Sequence, residues 1–186
     1  MLQPESKNDR ILIRLARDPE FEEVGALVRS AYEGDYVLDA DYLAEIEDVR
    51  GRAAHSQVWL AEEDGRILGT VTTPLPGRRL QDDTEPGEMD LRLLGVAREA
   101  RGRGVARRLV THCIELARAR GASRLVLHTA STMTAPQRLY ERMGFERIPE
   151  REYEFVRSGE TLRLLAYALR LSPLPAGAAP VPAAGR

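Results

Sequence analysis

The sequence predicts a mixed α/β domain. Two kinds of segment point to it: short runs with apolar residues at every second position, and longer runs with apolar residues at helical spacing. They interleave in the order β-α-α-β-β-β-α-β-α-β-β. The 186 residues are enough for one domain with a substantial core, and no internal repeat divides them. Residues 1–171 are read as that single domain. Residues 172–186 hold four prolines among alanines and are read as a disordered tail.

Each element has its own warrant. Residues 1–9 are polar and expected to fray. In residues 10–16, Ile11, Ile13 and Leu15 alternate with outward residues, which reads as a strand. Asp18-Pro19 reads as an N-cap followed by proline at the first helical position. Phe21, Val24, Leu27, Val28 and Ala31 then recur at helical spacing to about residue 33, and a second helix covers residues 40–49. Strands at 57–61 and 66–72 meet at Asp64-Gly65, a hairpin signal. Residues 74–87 lack periodicity and read as a loop. A strand over 89–96 leads to a helix over 104–120 that closes at Gly121. The mostly apolar strand 124–129 predicts a buried parallel neighbour. After a short helix around Tyr140, residues 145–156 and 161–171 read as a hairpin over Ser158-Gly159.

Composition excludes several function classes. A formal charge of −2 gives no global basic field for nucleic acid. The single cysteine excludes an internal disulfide and multi-thiolate metal sites. Cys113 falls on the stripe Val105, Leu109, Cys113, Ala117 and reads as a buried, inert thiol. His55, His112 and His128 show no metal-ligand spacing, so no metal is expected. No apolar run approaches the roughly 20 residues that span a bilayer. A soluble cytoplasmic protein is the expectation.

Two motifs carry chemistry. The first is Leu94-Gly95-Val96-Ala97-Arg98-Glu99-Ala100-Arg101-Gly102-Arg103-Gly104-Val105-Ala106. A strand enters a loop with two glycines, and an amphipathic helix begins at once. Orphan N–H groups and the positive dipole end make a helix N-terminus an anion cradle, which glycines open to close approach. A dinucleotide fingerprint is excluded because its third glycine position is Arg107 and no carboxylate ends the next strand at Leu127-His128-Thr129. A phosphate-binding P-loop is excluded because the only lysine is Lys7. A solvated helix cap remains an alternative for this motif alone. The second motif is Ala135-Pro136-Gln137-Arg138-Leu139-Tyr140-Glu141-Arg142-Met143-Gly144-Phe145, a short helix closed at Gly144 that leads into a strand. Leu139 and Met143 share an apolar stripe, so Tyr140 alone would read as a core tyrosine.

Together, in this order, the motifs resemble the two cofactor segments of the GNAT family of N-acetyltransferases. The resemblance spans about residues 10–171, the first 50 by element order only. It implies a central twisted mixed sheet of about seven strands flanked by helices, and acetyl-CoA as co-substrate with no metal. The strand carrying Leu94, Gly95 and Val96 would splay from the next one. The backbone of Leu94 and Val96 would then bind the pantetheine arm, with Gly95 admitting the thioester. Arg101, Gly102, Arg103, Gly104, Val105 and Ala106 would hold the pyrophosphate, with Arg103 or Arg107 adding charge. Tyr140 matches the tyrosine that protonates the leaving thiolate. Asp90, with Glu88 nearby, lies where some members carry a general-base carboxylate; a solvated strand end is the equal alternative. Many relatives carry asparagine where Met133 stands, so a polar contact is lost there or moved to Thr132 or Thr134. Tyr32, Glu33, Asp35, Tyr36 and Tyr42 would line an acidic, aromatic acceptor pocket.

The implied function is acetyl transfer to a primary amine of a small molecule, with no nucleic-acid or membrane partner and a homodimer left open. Alternatives are a protein lysine or N-terminal acetyltransferase, or a non-catalytic acyl-CoA sensor.

Overall fold

The computed structural model describes residues 10–33, 38–157 and 159–172. Among the described residues, nine strands in two sheets are flanked by five helices, the mixed α/β architecture expected from the sequence. The first sheet runs β1 (Leu12–Leu15), β2 (Ser56–Glu63), β3 (Arg66–Pro74), β5 (Arg92–Val96), each antiparallel to its neighbour. The β2–β3 turn is Asp64-Gly65 as expected, with φ of 51° and 77°, the doubly left-handed turn that suits a tight hairpin.

The second sheet holds β4 (Glu88–Asp90), β6 (Arg124–Ala130), β7 (Glu146–Arg147), β8 (Tyr153–Arg157) and β9 (Glu160–Arg170). The parallel neighbour expected for residues 124–129 is β4, and β9 pairs antiparallel on the other side. Two expected strands are broken. Residues 89–96 divide between the sheets as β4 and β5. Residues 145–156 divide into β7 and β8 because Pro149, unable to donate a ladder bond, starts a 3-10 turn over Pro149–Arg151.

Helix α1 (Phe21–Glu33) follows a 3-10 turn at Asp18–Glu20. Asp18 is therefore not the helix cap; it pairs with Arg50, while Glu20 accepts the Arg17 N–H at 2.7 Å. Helix α2 spans Ala40–Glu47, and a third helix that the sequence did not suggest, α3, spans Val49–Ala53. Asp48 caps it, accepting the Gly51 N–H at 2.9 Å. Helices α4 (Val105–Ala119) and α5 (Thr134–Arg142) match the expected ones.

The helices cover opposite faces of the first sheet. On β2, Trp59 and Ala61 face the large core that also holds Val105, Leu109 and Cys113 of α4. Val58 and Leu60 point the other way, against Val24 of α1 and Val49 of α3. The stripe expected on α4 is buried, and burial pushes the Cys113 thiol up to about 12. Residues 1–9, and the tail from 173 onward, lie outside the described residues.

Arg14 on β1 bridges Glu20, at 2.9 and 2.5 Å, and Glu62 on β2, at 2.7 Å. Hydrogen bonds from Arg14 hold the Glu20 carboxyl at about 2, against an ordinary 4.5. The folded state thus keeps Glu20 ionised where the unfolded chain would protonate it. Its contribution is complete above pH 4.5 and vanishes as pH falls through 2. Glu20→Gln is expected to cost about 2 kcal/mol at pH 7 and to flatten that part of the acid limb, as read by denaturant unfolding at stepped pH.

Candidate active site

The strand break creates the site. Leu91 donates to the Val126 carbonyl at 3.3 Å, the last rung between β4 and β6. The chain then turns into β5, where Leu93 has φ of 55° and the β3 register shifts between Thr70 and Thr72. A left-handed leucine inside a strand is a bulge that bends the chain away. Among the described residues, β5 pairs with β3 alone, and β6 beyond Val126 has no partner on its β4 side. Two strand edges therefore face each other across a cleft of about 750 Å³.

Leu94, Gly95 and Val96 form one wall of this cleft. A Cβ on Gly95 would sit 3.5 Å from Ala31 and 3.7 Å from Leu27, so its bare face receives α1. At one end the loop and the start of α4 contribute Arg101, Gly102, Gly104, Val105, Ala106 and Arg107. Gly104 caps α4 in the left-handed region, φ 79°, a conformation that costs a side chain about 1 kcal/mol or more. The first helical bond runs from the Arg108 N–H to the Gly104 carbonyl at 3.1 Å, so the amides of the preceding turn lie outside the ladder. Arg103 points elsewhere and pairs with Glu63 of β2 at 2.5 Å.

Tyr140 on α5 lines the cleft and is 4% exposed, with its ring 5.7 Å from Phe145 and 6.1 Å from Tyr167. Met133 lines it too, and its sulfur accepts the Thr129 hydroxyl at 3.6 Å. Gln137 lies one turn along the same helix. Its amide donates to the carbonyls of Ala130 and Ser131, both at 3.0 Å, tying α5 to the end of β6. Of the expected acceptor residues, Tyr32 lines the cleft, Glu33 pairs with Arg29 at 3.0 Å and Tyr42 packs against the cluster of Val28, Leu43 and Ile46. Asp35 and Tyr36 lie outside the described residues.

Neither Asp90 nor Glu88 lines the cleft, and other groups engage both. Asp90 is fully buried, and one oxygen accepts from Leu80 N–H at 2.8 Å, Gln81 N–H at 2.7 Å and the Thr84 hydroxyl at 2.8 Å. It pins the loop over residues 75–87. Glu88 pairs with Arg151 at 2.7 Å and Arg124 at 3.2 Å, and against the cost of burial these contacts hold its carboxyl below the usual range.

Sequence reasoning missed Arg92 and His128. Arg92 lines the cleft and also an adjoining hollow of about 530 Å³ formed with Asp82, Asp83, Glu150 and Tyr153. His128 lines the cleft from β6 and was read only as a strand residue. Its alternation with Val126, away from the core-facing Leu125 and Leu127, was the available signal.

Among the described residues, no three His, Cys, Asp or Glu side chains group to hold a metal, and no helix is long and apolar enough to cross a membrane.

Comparison with known proteins gives a consistent result. A family model described as "Acetyltransferase (GNAT) family" matches residues 17–145. A mouse protein named "Probable N-acetyltransferase family 8 member 5" is 36% identical over 99 residues, 50% of this chain and 40% of its own length. N-acetylaspartate synthetase of Danio rerio is 31% identical over 118 residues, 63% of this chain and 39% of its own. The chain thus spans less than half the length of these relatives. A Salmonella typhimurium structure that holds its cofactor acetyl-CoA superposes with a TM-score of 0.61 at 23% identity, covering 92% of this chain and 98% of its own.

If Asp90 is a structural anchor, Asp90→Asn should lower the unfolding free energy by about 1–3 kcal/mol. Proteolysis within residues 75–87 should also quicken, as limited trypsin digestion would show.

Proposed function

The chain belongs to the GNAT acetyltransferase family, and from that membership we propose that it transfers the acetyl group of acetyl-CoA to the primary amine of a small molecule. The observation that carries this reading is the open edge of β5 facing β6, with the α4 N-terminus at one end of the gap and Tyr140 within it. An extended amide-bearing arm can pair with such an edge as an added strand. Leu94 and Val96 supply the backbone edge in this reading. The pyrophosphate sits on the first turn of α4, where orphan amides, Arg101 and Arg107 favour negative charge.

The acceptor enters from the adjoining hollow, whose carboxylates at Asp82, Asp83 and Glu150 suit a cationic amine. Its size fits a small molecule, and one relative is named for making a small N-acetylated amino acid. The neutral amine attacks the thioester carbonyl, the C–N bond forms, and the C–S bond breaks. Tyr140 donates a proton to the departing thiolate. Holding amine and thioester in contact supplies much of the remaining rate.

Ala106→Glu tests the cradle without disturbing the backbone. A carboxylate in the first turn of a helix is favourable for stability yet repels a pyrophosphate. Acetyl-CoA affinity by calorimetry should fall at least about tenfold while melting is unchanged; unchanged affinity would move the cofactor elsewhere. Tyr140→Phe should reduce turnover about 10²–10⁴-fold with little change in acetyl-CoA affinity, as measured by thiol release against a panel of amines.

A further inference from the structure

Acetyl transfer needs a group to take the proton of the acceptor ammonium, and the two carboxylates nearest the strand start are committed elsewhere. His128 has the geometry for it. Its Nε2 lies 3.1 Å from the Asp83 carboxylate and 3.3 Å from the Arg151 carbonyl. Both neighbours are acceptors only, so Nε2 carries the hydrogen and donates to them. Nδ1 is then the bare lone pair. It is buried and has no hydrogen-bond partner among the described residues, while His128 itself forms part of the cleft wall.

We propose that His128 is the general base of the transfer reaction and that Asp83 is its positioning residue. This rests on the acetyltransferase reading above. The ammonium passes one proton to His128 Nδ1, directly or through one water, and leaves a neutral amine and an imidazolium. Asp83 accepts the hydrogen bond from Nε2 throughout, fixing the tautomer and stabilising the charge that forms. The amine then attacks, and its second proton replaces the one that Tyr140 gave to the thiolate. When the product leaves, the Nδ1 proton passes to water entering the cleft, which restores the Nε2–H tautomer.

The surrounding charges fit the assignment. From β8, the Tyr153 ring lies 5.7 Å from the imidazole. From the 3-10 turn, the Arg151 guanidinium is engaged by Glu85 and Glu88, both at 2.7 Å. From β5, Arg92 lines both the cleft and the hollow that holds Asp83 and Tyr153.

The test uses the full chain with acetyl-CoA and an amine that the wild type acetylates. His128→Gln, which can still donate to Asp83 but cannot take the proton, should lower kcat/KM about 10²–10⁴-fold at neutral pH. It should also move the ascending limb of the pH profile to higher pH, with acetyl-CoA affinity and melting temperature unchanged. Asp83→Asn should give a smaller loss in the same direction. Wild-type transfer with a superimposable profile in His128→Gln overturns the inference and leaves the transferase reading standing. A wild type that binds acetyl-CoA but acetylates no amine overturns both. Long-range ¹H–¹⁵N spectra read the tautomer independently of activity: an Nε2–H form supports the assignment, and an Nδ1–H form overturns it.

Discussion

The chain leaves one sheet and enters the other within two residues, and the left-handed backbone at Leu93 makes the departure permanent. Had β5 continued beside β6, both edges would be satisfied and no gap would exist. The bulge instead leaves two runs of backbone donors and acceptors facing a partly enclosed space. Such groups are costly without partners, so the space favours an extended polar occupant over apolar filling. Leu93 is held there by Val28, Leu43 and Ile46, whose packing compensates the roughly 1–3 kcal/mol of an unfavourable backbone region. The two N-terminal helices thus do more than cover the sheet: they hold its split open.

A second constraint is electrostatic and ties the loop to the second sheet. Glu88, 3% exposed, is flanked by Arg124 and Arg151, and Arg151 also reaches Glu85. Glu152, equally buried, gathers Arg147 and Arg163. Surface ion pairs contribute little singly, but a carboxylate this buried would be expensive without its guanidinium partners. The network and the Asp90 hydrogen bonds give an otherwise patternless loop a fixed course. That course brings Asp83 to His128.

Local signals in the sequence were the reliable ones. The stripe on α4, its glycine cap, the Asp64-Gly65 turn and the Tyr140 helix all follow from neighbours a few residues apart, and each is where the sequence puts it. The break between β4 and β5 is not local. Residues 89–96 contain no proline, and their apolar run reads as one strand; only packing against α1 and α2 decides otherwise. The same limit applies to the carboxylates. Asp90 and Glu88 look available in a sequence, because their donors lie up to ten residues away on a loop or 63 residues away on a 3-10 turn. His128 shows the converse, since the residue that orients it sits 45 positions earlier in a segment without periodicity.

The sealed position of Cys113 has an experimental side. It is the only cysteine in the sequence, it is fully buried on α4, and its thiol ionises only near 12. A thiol-specific chromophore added to the folded protein meets no reactive sulfur of the chain's own, so the colour that develops during a reaction counts liberated coenzyme. The same sulfur is a silent clock. Its slow modification proceeds only as often as α4 lifts from the sheets, so the rate of that background labelling measures how frequently the core opens.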